Sequence, residues 1–175
     1  MAPRLAAAFG DGRVATVFDE IAGLPAHPLL VHAAVMLAPM LALVAIAYAV
    51  LPVARVHTER LLAVLAVAAP LSVASARESG EAFRRRLVRE GATTPDLLDQ
   101  IDAHAASSRT LLLLTLALGA VAFGWLLLEG ARARRRHSPT LVIVFAAVTC
   151  ALGAAVLWAV VDTGHAGASM VWAGV

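Results

Sequence analysis

Pro28-Leu29-Leu30-Val31-His32-Ala33-Ala34-Val35-Met36-Leu37-Ala38-Pro39-Met40-Leu41-Ala42-Leu43-Val44-Ala45-Ile46-Ala47-Tyr48-Ala49-Val50-Leu51 runs without one Asp, Glu, Lys or Arg. The hydrocarbon core of a bilayer is about 30 Å thick and a helix rises about 1.5 Å per residue, so a stretch of this length crosses it. Three more stretches read the same way, at residues 61–76, 110–128 and 139–161. The second is the shortest, and Arg60 and Arg77 fence it with side chains long enough to reach the headgroups. Nothing alternates with the period of a barrel strand, so helices are the only backbone here that satisfies its own hydrogen bonds in lipid. The expected fold class is therefore all-α: an integral membrane four-helix bundle, with residues 28–175 as the four-span domain.

Composition agrees. The chain has 175 residues, of which 61% are hydrophobic and 15% charged, and its mean hydropathy is +0.82. Soluble domains average about 45–50% apolar and about 25% charged residues, which excludes an ordinary soluble enzyme and a disordered chain. The isoelectric point near 9.5 comes from arginines that flank apolar runs, where they anchor a membrane protein rather than grip phosphate. The expected partner is the lipid bilayer, not nucleic acid. One cysteine, Cys150, lies within an apolar run, so no disulfide framework, paired-cysteine zinc site or c-type haem attachment is expected.

Residues 1–27 do not read as a cleavable signal, because the apolar run after Pro28 is too long and no small-residue cleavage site follows it. Val14, Val17, Phe18 and Ile21 recur at helical spacing, which predicts a short amino-terminal helix lying in the membrane interface. The short stretches 52–60 and 129–138 read as loops carrying six arginines against Glu59 and Glu129. Arginine density in short loops marks the cytoplasmic face. Both termini and the long second loop are therefore expected on the non-cytoplasmic side of a plasma membrane, although Arg84, Arg85 and Arg86 run against the bias.

That second loop, residues 77–109, is too long for a plain turn. Residues 81–90 read as a helical extension of span two that Gly91 ends, and Thr94-Pro95 opens a new helix with Thr94 as cap and Pro95 in first position. Residues Gly119, Ala120, Phe123 and Gly124 on span three and Ala146, Cys150 and Ala154 on span four offer close helix contacts of the small-residue kind. No internal sequence repeat stands out. Phosphate loops, HExxH and GxSxG elbows are absent, and Gly164 and Gly167 read as a sharp turn at the end of span four.

Histidines are the one unusual chemical resource. His57 and His137 fall in the arginine-bearing stretches. His27, His32, His104 and His165 fall at span ends that an up-down bundle brings to the same face, with Glu78, Glu81, Asp102 and Asp162 near them in sequence. Imidazoles from different helices can hold zinc, copper or iron, or clamp haem axially. His32 with His104 is the expected ligand pair for haem b or a transition metal, and His27 and His165 are alternates; the same four would serve a bare metal. His27 and His32 stand five residues apart, about 140° around a helix. Histidines bonded only to carboxylates remain the plain alternative.

The phrases Leu24-Pro25-Ala26-His27-Pro28-Leu29-Leu30-Val31-His32, Ser79-Gly80, the lone His104 and Gly164-His165-Ala166-Gly167-Ala168-Ser169-Met170-Val171-Trp172 together resemble a bacterial family of predicted four-span membrane proteins of unknown function. The resemblance runs from about Gly23 to Val175. In the family, His-Pro-Leu-Leu-Val-His is usually followed by Phe-Pro, where this chain has Ala33-Ala34 and no proline until Pro39. The family's closing phrase has paired glycines and a tyrosine, where this chain has Gly167-Ala168 and Trp172. Some relatives are joined to Rieske-type iron–sulfur domains, so the resemblance implies membrane redox work and carries over His27, His32, His104 and His165. The leading expectation is an electron carrier working with a quinone or a membrane redox complex, rather than an enzyme. A cofactor-free structural or accessory subunit and a small-solute transporter, the latter requiring a homo-oligomer, are the rivals.

Overall fold

The computed structural model describes residues 18–132 and 139–172. Four long helices carry it: α1 (Ala26–Val50), α2 (Pro52–Arg89), α3 (Pro95–Arg132) and α4 (Pro139–Trp172). They form an up-down bundle in which each helix packs on its neighbours in sequence and α4 closes back on α1, leaving α1 and α3 on a diagonal. A two-stranded antiparallel hairpin, β1 (Glu20–Ile21) and β2 (Leu24–Pro25), precedes α1.

All four helices are long and apolar enough to cross a membrane. Their packing has the matching inside-out pattern. Ala38, Ala42, Ala45, Ala69, Ala122 and Ala159 are buried, whereas Leu43, Val64, Leu113, Leu127, Trp158 and Val161 are exposed. Without a hydrophobic drive between helices, small residues let backbones approach closely while large apolar side chains face lipid. Gly119 is the tightest case, since a Cβ there would lie 2.7 Å from the Ala66 carbonyl of α2. The molecule is a multi-pass membrane protein.

The helices outrun the hydropathic spans. At 38 residues, α2 is about 57 Å long, so the stretch 61–76 is only its middle. Residues 52–60, expected as a loop, are its first turns. Leu51 alone separates α1 from α2, with φ −114° and ψ 94°, and Pro52 starts the helix at once, its fixed φ suiting that position. Thr94 and Pro95 behave as read: the Leu97 N–H donates to Thr94 Oγ1 at 3.2 Å. Gly91 ends α2 with φ 66°. By contrast, Gly164 and Gly167 make no turn, because α4 continues through them to Trp172. Phe18 lies in a turn and Ile21 in β1, not on an interfacial helix; Val14 and Val17 lie outside the described residues. Ala22 and Gly23 both have positive φ, 52° and 80°, as a tight hairpin turn requires.

At the end of the bundle where α1 meets α2, one arginine joins the elements. The Arg55 Nε–H and Nη2–H donate to the Tyr48 and Ala49 carbonyls at 3.0 and 3.2 Å, and Nη1–H donates to Glu129 at 3.0 Å. Its guanidinium also lies 4.9 Å from the Trp125 ring centre and 5.7 Å from that of Tyr48. Trp125 in turn donates to Thr149 Oγ1 at 2.8 Å. Residues of all four helices thus meet around a cation held at the negative end of α1.

Candidate functional site

The opposite end collects the histidines. The hairpin sets where α1 starts, and the Ala26 N–H donates to the Asp19 carbonyl at 3.2 Å. His27 therefore lies in the first turn of α1, facing α2. Its Nδ1 lies 3.1 Å from the Ala76 carbonyl and 3.2 Å from Ser79 Oγ. A carbonyl only accepts, so Nδ1 carries the proton and Nε2 keeps its lone pair. The ring stacks on Phe83 with centroids 6.3 Å apart and planes 15° apart. Gly80 leaves the room: a Cβ there would stand 3.1 Å from His27 Cε1.

His104 occupies a similar seat on the other side. It projects from α3 toward α4, where a Cβ on Gly167 would stand 3.2 Å from its Cε1. The backbone of Thr163 approaches the ring, yet His104 Nδ1 is buried without a hydrogen-bond partner, and so is Thr163 Oγ1. Two half-buried imidazoles on diagonal helices thus sit at the same end of the bundle, each packed against the following helix.

His32 and His165 do not join them. His32 is exposed, and its Nδ1 bonds the Pro28 carbonyl one turn back on its own helix. Because α1 begins before His27, the five-residue step turns His32 about 140° away from the face that carries His27, so the expected partners His32 and His104 are not brought together, His32 being exposed and His104 half-buried. His165 is exposed as well; it stands two residues from Gly167, about 200° around α4 from the face that meets His104. Asp102 pairs with Arg84 at 3.0 Å, and Glu78 is exposed. Among the described residues no three or more His, Cys, Asp or Glu are placed to hold a metal together. His57 is exposed and bonds its own helix at 3.3 Å; His137 lies outside the described residues.

Gly80, Gly167, Ala76, Phe83 and Thr163 were not singled out as site residues from the sequence. Ser79-Gly80 entered only through the family resemblance and Gly167 also as part of an expected turn, and what marks Gly80 and Gly167 physically, a ring pressed against a missing side chain, is a property of two helices at once. The chain matches no family model, no curated protein and no solved structure.

Proposed function

We propose that this membrane protein is a one-electron carrier that binds haem b or a transition metal through His27 and His104. The observation that carries the reading is a half-buried imidazole at the same end of each of two diagonal helices, one of them bonded through Nδ1 to the Ala76 carbonyl. Metal-ligating histidines are commonly oriented by such a bond from the other ring nitrogen. In this reading His27 and His104 would hold the cofactor, which would supply one-electron redox chemistry between a quinol or a membrane dehydrogenase and a partner on the histidine side. The arginine bias puts that side, with both termini, outside the cytoplasm of a plasma membrane. Reporter fusions in 129–138 and after Val175 test the orientation, and a cytoplasmic carboxy terminus overturns it.

The experiment is elemental analysis and absorption of the purified chain before and after addition of a soluble quinol analogue. A stoichiometric metal with a quinol-dependent spectral change supports the carrier. The second reading is a cofactor-free accessory subunit, favoured by the seating of His27 between Phe83 and Gly80 and by α4, whose apolar window is only 17% buried and leaves a face for another membrane chain. It predicts colourless, metal-free protein from cells supplied with haem and metals.

A further inference from the structure

At the end of the bundle away from His27 and His104, an open hollow of about 430 Å³ is lined by Val56, His57, Glu59 and Arg60 of α2. All four side chains are exposed, and they span about 6 Å of helix rise. Arg60 directly precedes the apolar stretch 61–76. A cation on the first residue outside a spanning stretch stands at the level of the lipid headgroups. The hollow therefore opens on headgroups rather than on acyl chains.

Its charges are not spent within the protein. Arg55 of the same helix is tied to Glu129 at 3.0 Å, but among the described residues the side chains of Glu59 and Arg60 have no ion-pair or hydrogen-bond partner. His57 Nδ1 lies 3.3 Å from the Val53 carbonyl. A carbonyl only accepts, so Nδ1 carries the proton and Nε2 is left as an acceptor. The lining thus offers a guanidinium, whose planar fork matches phosphate oxygens, beside two acceptors, a carboxylate and an imidazole nitrogen. A simple anion would meet Glu59 and a simple cation would meet Arg60. A ligand with both charges a few bonds apart uses the whole set, as a zwitterionic phospholipid headgroup does. A primary ammonium brings N–H donors for Glu59 and His57; a quaternary ammonium has none, and a glycerol headgroup brings no positive charge.

We propose that this hollow binds the headgroup of a zwitterionic phospholipid with a primary ammonium, Arg60 holding the phosphate and Glu59 with His57 holding the ammonium. The site is independent of the cofactor reading above and stands or falls without it.

The test is native mass spectrometry of the full-length chain released from bilayer nanodiscs that hold equal amounts of phosphatidylethanolamine, phosphatidylcholine and phosphatidylglycerol with the same acyl chains. The wild type is expected to retain phosphatidylethanolamine about threefold or more over each of the others, the preference that one exposed charged contact can supply. Glu59→Gln should bring phosphatidylethanolamine down to the level of phosphatidylcholine, and Arg60→Gln should lower retention of all three. Both positions are exposed, so both variants should melt with the wild type. Equal retention of the three lipids by the wild type, or a preference for phosphatidylglycerol, overturns the proposal and needs no variant to fold. A phosphatidylethanolamine preference that persists in Glu59→Gln, or retention unchanged in Arg60→Gln, overturns it as well.

Discussion

At the scale of single residues, the account turns on what is missing opposite each imidazole. A methyl group at position 80 would stand 3.1 Å from His27 Cε1, and one at 167 would stand 3.2 Å from His104 Cε1. At that spacing each ring must give by a few tenths of an ångström, and overpacking of this kind pushes side chains off their rotamers. Gly80→Ala and Gly167→Ala are therefore expected to displace the rings and reduce cofactor per chain more than they lower thermal stability, read by absorption and by melting in detergent. Glycines that pack backbone on backbone should behave differently. Gly119→Val would push against the Ala66 carbonyl, 2.7 Å from its Cβ, and is expected to lower the melting temperature, while Ala154→Val, on an exposed face of α4, should leave it unchanged. Equal melting of the two would show that the Gly119 contact is not tight. The histidines themselves were legible as a group in the sequence. Which two face inward was not, because that depended on whether α1 begins before or after His27.

Among elements, the helices were legible wherever the chain carries its own punctuation. Thr94 caps α3 as its spacing implied, and Gly91 ends α2 with positive φ. Hydropathy marks only the stretch inside lipid, so α4 was read too short and α2 was missed at its start, although its extension through 81–90 to Gly91 is as read; the arginines after Pro52 look like a loop to a charge count although proline there begins a helix. The Arg55 clamp was missed for a related reason. Its partners Tyr48, Ala49, Trp125 and Glu129 come from α1 and α3, and no local pattern joins them. A cation held this way over an aromatic face contributes about 2 kcal/mol or more when desolvated. Arg55→Lys is expected to lose the planar, multi-dentate fit and to melt below wild type, with Arg55→Leu lower still, followed by tryptophan fluorescence of the purified protein. If lysine restores full stability, the guanidinium geometry does not matter.

For the whole molecule, the fold class followed from length and apolarity, since a chain of four such stretches has no other way to satisfy its backbone in lipid. Which small residues face inward was invisible from sequence, because their burial is set by the neighbouring helix as much as by their own. Packing against α2 and α4 half-buries His27 and His104 and leaves His32 and His165 on the outer surface. The most direct measurement is cofactor per chain in four single variants, His27→Ala, His104→Ala, His32→Ala and His165→Ala, purified side by side from cells supplied with haem and metals. The first two are expected to lose the cofactor and the last two to retain the wild-type amount. Loss in His32→Ala or His165→Ala with retention in His27→Ala or His104→Ala would contradict the site described here.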